Sequence, residues 1–286
     1  MNDALRNAYL RRLGVAAGPP TVEGLFDLHR AQTERVAYET LWIHLGERWG
    51  IDLAGSVDRE ATKGRGGYCF HLNGAFGALL SSLGYHLTQH VGGVHGADGA
   101  SENEMTNHLV LTVDGLPTTE NPGGVWYVDV GLGDAMHEPL PLVEGTYRQG
   151  PFTLSLERTP RGVGDWHLTH DLAGGFKGMA WRSAAAEIDD FATKHQWLST
   201  SPESGFVRVL TAQRRDATGV DILRGLVLRR IGAEASEQTL TSSRDLFDLM
   251  GSLFGLDVSG VERTARQGLW AKTSAAHEAW VGAGKP

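Results

Sequence analysis

A glycine-rich turn, Arg65-Gly66-Gly67, runs straight into a segment in which Phe70, Ala75, Phe76, Leu79, Leu80 and Leu83 recur at helical spacing before Gly84. That patterning commits the segment to an apolar helix, and the only cysteine of the chain, Cys69, falls in its first turn. A lone cysteine is often a small core residue with no chemistry. In the first turn of a helix, however, a sulfur faces unpaired backbone N–H groups and the positive end of the macrodipole, which favour thiolate over thiol. Such a position prepares a nucleophile, provided that a base stands within reach.

Around this helix the chain changes character twice. Up to about Leu83 it has helical patterning, with Thr21 after Pro19-Pro20 as an N-cap for Val22, Leu25, Phe26 and His29. From Tyr85 to about Leu172 it is strand-rich: 109–113, 125–130, 152–156 and 166–169 are apolar or alternating runs separated by turn clusters. Then come a helix-like stretch near Ala184 to Lys194, strand patterns at Phe206–Leu210 and Leu226–Ile231, and a helix opened by Ser242 with Asp245 three residues on. This order predicts an α+β protein with subdomains, without internal repeats. The expected divisions are 1–84, 85–195 and 196–286.

Composition narrows the function. A net charge of −8 argues against nucleic acid as the main partner. No uncharged apolar run is long enough to cross a bilayer, and Met1–Asn7 lacks the plan of a signal peptide. One cysteine excludes an intramolecular disulfide framework, so a cytoplasmic setting is expected.

Most of the twelve histidines suit surface or satisfied polar positions. His86 and His90 lie in a strand pattern, His167 and His170 face opposite sides of a strand, and Cys69 with His71 has no further ligand, so no metal is expected. His108 differs because it heads the run Leu109–Val113 after a polar loop, where a strand end holds an imidazole rigidly. Such a ring needs an acceptor for its second nitrogen. Asp129 is the candidate, as the charged residue of an otherwise apolar run, Trp126–Gly131, although capping of the Gly131-Leu132-Gly133 turn explains it about equally well.

Arg65-Gly66-Gly67-Tyr68-Cys69 with Asn73-Gly74, the strand-leading His108, and Asp129-Val130-Gly131-Leu132-Gly133 together resemble the arylamine N-acetyltransferases, whose pattern is RGGxC, then His, then DVGFG. Ala37-Tyr38-Glu39-Thr40-Leu41 is similar to the family's PFENL segment, and Ser199–Phe206 to its STSPxSxF stretch, with Ala212-Gln213-Arg214 in the strand that follows. The resemblance implies an N-terminal helical bundle carrying Cys69, a β-barrel-like middle carrying His108 and Asp129, and a C-terminal α/β lid. It implies a Cys69-His108-Asp129 triad of the cysteine-protease type that takes acetyl from acetyl-CoA and passes it to an aromatic amine or hydrazine, with O-acetylation of N-hydroxyarylamines as a related activity. Thr200 matches a CoA-contacting position, and Tyr38 and Phe70 are candidates to line the acceptor pocket, though core packing explains each equally well.

The chain departs from the pattern at His71, where the family often has Glu, and at Ala37, Tyr38, Thr40 and Leu132. The interval from His108 to Asp129 is also long, with the excess best placed in Pro117–Gly124. An amide synthase of the same fold, closing a polyketide macrolactam onto an aryl amine, would share the triad and remains the alternative.

Overall fold

The computed structural model describes residues 1–159 and 161–284. The N-terminal part is built from α1 (Asp3–Leu13), α2 (Val22–Arg35), a two-residue strand β1 (Tyr38–Glu39), α3 (Leu41–His44), α4 (Leu53–Thr62) and α5 (Cys69–Ser82). Side-chain caps fix the starts of three of these helices: Asn2 accepts from Leu5 N–H, Thr21 from Gly24 N–H and Asp52 from Gly55 N–H. Nearly all of α5 is buried, with Phe70, Leu72, Phe76, Leu79 and Leu80 at the centre of the main core. Each such side chain contributes about 1.5–3 kcal/mol by leaving water. Gly67 shapes the entry to α5, having φ 144° and a Cβ direction that meets the ring of His71 at 2.7 Å, so only glycine fits there.

The middle of the chain forms one antiparallel sheet from β2 (His86–His95), β3 (His108–Asp114), β4 (Trp126–Val128), β5 (Leu140–Pro141), β6 (Gly145–Gln149), β7 (Phe152–Arg158), β8 (Trp166–Thr169) and β9 (Gly178–Ala185). Its spatial order is β5-β4-β3-β2-β9-β8-β7-β6. The outermost strands, β5 and β6, are joined by residues 142–144 alone, so the two edges are held close and the sheet curls into a nearly closed barrel. β3 is buried on both faces. Leu109, Leu111 and Val113 pack on the α5 core, while Val110 joins the cluster of Tyr127, Leu154, Trp166 and Trp181. This explains why its sequence is continuously apolar instead of alternating.

A 3₁₀ turn (Ile188–Phe191) leads into α6 (Ala192–Thr200) and α7 (Gly205–Arg208). A second antiparallel sheet follows, β10 (Thr211–Asp216), β11 (Gly219–Arg224), β12 (Val227–Gly232) and β13 (Ser236–Thr239), and then α8 (Ser243–Ser252) and α9 (Arg263–Gly282). β1 completes this sheet at its edge, with Tyr38 opposite Gln213 and Glu39 opposite Ala212. On its other side β1 is bonded to the turn before Cys69, through Glu39 N–H to Gly67 O at 2.8 Å. The molecule is thus α+β, with helical bundle, barrel-like sheet and α/β lid.

Several expectations are corrected. Phe206–Leu210 is not a strand: Ser204 accepts from Phe206 N–H and starts the short helix α7, so a local cap overrides the β-propensity of the valines. The helix expected near 184–194 begins only at Ala192, because the alanines before it are drawn into β9, where Ala185 pairs with His90. The strand expected over 125–130 stops at Val128. Among the described residues no helix is long and apolar enough to cross a membrane.

Candidate active site

Cys69 is the first residue of α5, so its N–H has no intrahelical partner. Its Sγ lies 3.5 Å from the carbonyl oxygen of Asn107, the residue before His108. Asn107 is itself clamped to β2, accepting from Val94 N–H at 2.8 Å and donating to Val94 O at 2.9 Å. The loop therefore delivers His108 to the head of β3 in a fixed position. Antiparallel pairing of Leu111 with Val128 brings the start of β3 and the residue after β4 to the same end of the hairpin. His108 Nε2 accordingly meets Asp129 Oδ2 at 2.7 Å. The other ring nitrogen, Nδ1, is left for the sulfur. Residues 117–124, the stretch to which the long interval between His108 and Asp129 is assigned from sequence, lie at the opposite end of this hairpin, in the loop closed by bonds between Leu116 and Gly124 and between Thr118 and Asn121.

Asp129 is 1 % exposed, and a bare carboxylate there would be costly. It is not bare. Oδ1 accepts from Asn73 Nδ2 at 2.8 Å and Gly131 N–H at 3.0 Å, and Oδ2 accepts from the Tyr127 hydroxyl at 2.8 Å besides His108. Asn73 sits one turn along α5 from Cys69 and also donates to Leu109 O and accepts from Val130 N–H, so a single amide ties the cysteine helix to both strands. From behind, His29 Nε2 accepts the Asp129 backbone N–H at 3.3 Å, while its Nδ1 donates to His137 O at 3.0 Å. A Cβ on Gly131 would stand 2.7 Å from the Cα of Cys69, so this glycine lets the strand end approach the helix start.

The charges follow from these contacts. Burial pushes the His108 ring down, but the Asp129 carboxylate, the charge at Cys69 and hydrogen bonds to both outweigh it and push the ring up to about 10. Burial pushes the Asp129 carboxyl up, yet the His108 charge and the bonds from His108, Asn73 and Tyr127 hold it below the usual range. His29, wholly buried, is pushed down to about 4 and stays neutral at pH 7, as its accepting role requires. The arrangement can thus hold a protonated, oriented imidazole beside the sulfur.

Stability should track pH through several buried groups. Burial pushes His29 and His44 down to about 4 and His71 well below its ordinary value, so these rings stay neutral in the fold while the unfolded chain protonates them below about 6.5. Each costs ~1.4 kcal/mol per pH unit on acidification. Burial pushes Glu60 up to about 8 despite bonds from Tyr9 and Gln32, so it withdraws stability as pH rises from 4.5 to 8. His108 withdraws stability between about 6.5 and 10. Below pH 6.5 the three histidines outweigh Glu60, and above it nothing offsets Glu60 and His108. We expect thermal unfolding midpoints to peak near pH 6.5, and a midpoint that rises steadily from pH 5 to 9 would contradict these assignments.

The remaining expected residues sit on β1, α5 and α6. Tyr38, half-buried, meets Phe206 edge-on at 6.2 Å. Phe70 is fully enclosed between Tyr68 and Phe191, a core position with no surface toward a cleft. Thr200 is exposed at the end of α6, its hydroxyl donating to Gln196 O. His71 is buried and accepts Tyr68 N–H through Nδ1 at 3.3 Å, a neutral substitute for an acidic cap at the helix start. Tyr127, Asn73 and His29 were given no role by sequence reasoning. For Tyr127 a signal exists, since residues i and i+2 of a strand share a face and Asp129 follows it by two. Among the described residues no cluster of three or more metal-ligating side chains occurs.

Comparison with known proteins agrees with this architecture. The sequence profile of the N-acetyltransferase family matches residues 21–263. Arylamine N-acetyltransferase 1 of Felis catus is 29% identical over 230 residues, covering 72% of this chain and 85% of that protein. The arylamine N-acetyltransferase of Mycobacterium marinum, solved in complex with CoA, superposes with a TM-score of 0.81 at 27% identity, over 94% of this chain and 98% of that one. The Nocardia farcinica enzyme gives 0.77 at 29% identity, over 94% and 93%. A profile match over most of the chain, on a fold that superposes along nearly its whole length, makes this acyltransferase a member of the arylamine N-acetyltransferase family.

Proposed function

We propose that this chain transfers acetyl from acetyl-CoA to an arylamine or arylhydrazine nitrogen through an acetyl-Cys69 intermediate. The observation that carries the reading is His108, held by Asp129 at 2.7 Å and turned toward a thiol at a helix start. Family membership and the CoA complex of the M. marinum relative support it. We take the three units as 1–84, 85–195 and 196–286, with Thr200 as a CoA contact and Tyr38 on the acceptor side.

In the resting enzyme the proton of Cys69 resides on His108, whose raised pKa keeps the ring charged at pH 7. The thiolate attacks the thioester carbonyl, the unpaired N–H of Cys69 faces the developing oxyanion, and CoA leaves as the thiol with the His108 proton. Acylation removes the charge at Cys69, one of the causes that held the ring up, so His108 in the acetyl-enzyme gives up its proton more readily and is neutral, free to accept the amine's proton, at lower pH. The amine then attacks, its proton passes to Nδ1, and Cys69 leaves as thiolate. Arylamines and hydrazines suit this step because their nitrogens are largely neutral at pH 7, whereas alkyl amines are ammonium. The oxygen of an N-hydroxyarylamine is a second acceptor for the same intermediate.

Incubation with acetyl-CoA alone should add one acetyl group to the intact protein, and an arylhydrazine should remove it. Steady-state data with both substrates should give parallel double-reciprocal lines. Intersecting lines, or no acetyl on Cys69, would overturn the reading.

A further inference from the structure

Resting on the triad reading above, we propose that Tyr127 is a positioning residue that shares Oδ2 of Asp129 with His108 and thereby sets the pH range in which His108 accepts the proton of the incoming amine. The Tyr127 hydroxyl donates to Oδ2 at 2.8 Å and His108 Nε2 meets the same oxygen at 2.7 Å. Oδ1 is committed elsewhere, to Asn73 and Gly131. A carboxylate oxygen that accepts two bonds shares its charge between them, so each donor weakens the hold of the other. Burial and the adjacent carboxylate keep the phenol well above the ordinary tyrosine range, so it remains a donor wherever the enzyme works. Its ring is fixed by stacking on Trp181 at 4.8 Å and 20°.

The other titratable groups facing this centre come from four places in the fold. Cys69 on α5 and Asp129 after β4 both raise the His108 ring. His29 on α2 reaches only the backbone of Asp129 and stays neutral. Tyr38 on β1 interacts with Cys69 and, being pushed well above its ordinary value by burial, carries no charge. Tyr127 is thus the donor beside His108 on Oδ2 whose loss leaves every charged group in place.

The sign of the effect is fixed. Without the phenol, Oδ2 carries more charge, the His108 imidazolium is better stabilised, and less of the ring is neutral at a given pH. In Tyr127→Phe the acid limb of acetyl-Cys69 discharge by an arylhydrazine should move up by about half to one pH unit, a three- to tenfold loss of rate on that limb that vanishes at the alkaline plateau. A second measurement is the ¹⁵N titration of the His108 ring, assigned by its disappearance in His108→Gln, which should shift in the same direction. Phenylalanine keeps the stack on Trp181, and thermal unfolding checks that the variant is folded. Should Tyr127→Phe misfold, Trp181→Phe supplies the test: it loosens the phenol without removing it and should move the limb the same way by less. A limb at the wild-type position, with or without a uniform fall in rate across pH, overturns the proposal. That outcome is separable from failure of the triad reading, in which Cys69 never takes the acetyl group at all.

Discussion

Cys69→Ser should fold like the parent chain and transfer acetyl several orders of magnitude more slowly. Serine fits the site, since Cys69 is 5 % exposed in a small pocket of core contacts and the side chains differ little in size. What is lost is the anion. The hydroxyl is far too weak an acid to give its proton to His108 in the resting state, so the enzyme would begin each cycle without a nucleophile. Single-turnover mass spectrometry with acetyl-CoA measures this directly. Because the chain has no other cysteine, residual acetylation in Cys69→Ala at a rate near the parent's would refute the assignment outright.

Asp129→Asn should be nearly as damaging, for a different reason. The carboxylate accepts four hydrogen bonds, from His108, Tyr127, Asn73 and Gly131. An amide has one accepting oxygen, and its NH₂ must then face two donors in a closed site. We expect a loss of about 2–4 kcal/mol in stability from unpaired buried donors. Acetyl transfer should fall by about 10³–10⁴, since the imidazole loses the partner that fixes its tautomer. Thermal unfolding and acetyl-enzyme formation separate the two effects. A variant that is destabilised but as fast as the parent would leave Asp129 a structural residue only.

Local signals with their own physics were legible in the chain. Thr21 and Ser242 cap helices where their spacing says they should, and α5 is a core helix over the apolar repeat that follows the glycine turn. β3 is equally plain because burial on both faces makes every position apolar. The misreadings have a common cause, which is context that acts over distance. The alanines near 184 are strand because β2 is their neighbour, and Phe206–Val209 turns because Ser204 caps it. α9 was not foreseen, since its buried residues are only Leu269 and Thr273, too few to make a stripe. In the site, His108 and Asp129 were visible as residue types out of keeping with their surroundings. Asn73 and His29 do their work through bonds to groups remote in sequence, the Asp129 carboxylate among them, which no spacing announces.

The two-residue strand β1 has a temporal consequence. It lies between the Gly67 turn and β10, bonded to the turn on one side and to residues near 212 on the other. The turn that aims the thiol is therefore braced by a segment some 170 residues downstream of β1. Closing so long a loop is among the slower events in folding, and it has to await synthesis of β10. On a ribosome the cysteine emerges early, but the brace that seats it arrives only with the last third of the chain. Acyl transfer is in this sense a property of the finished polypeptide, and a nascent chain stalled before Thr211 carries the thiol without the frame that makes it useful.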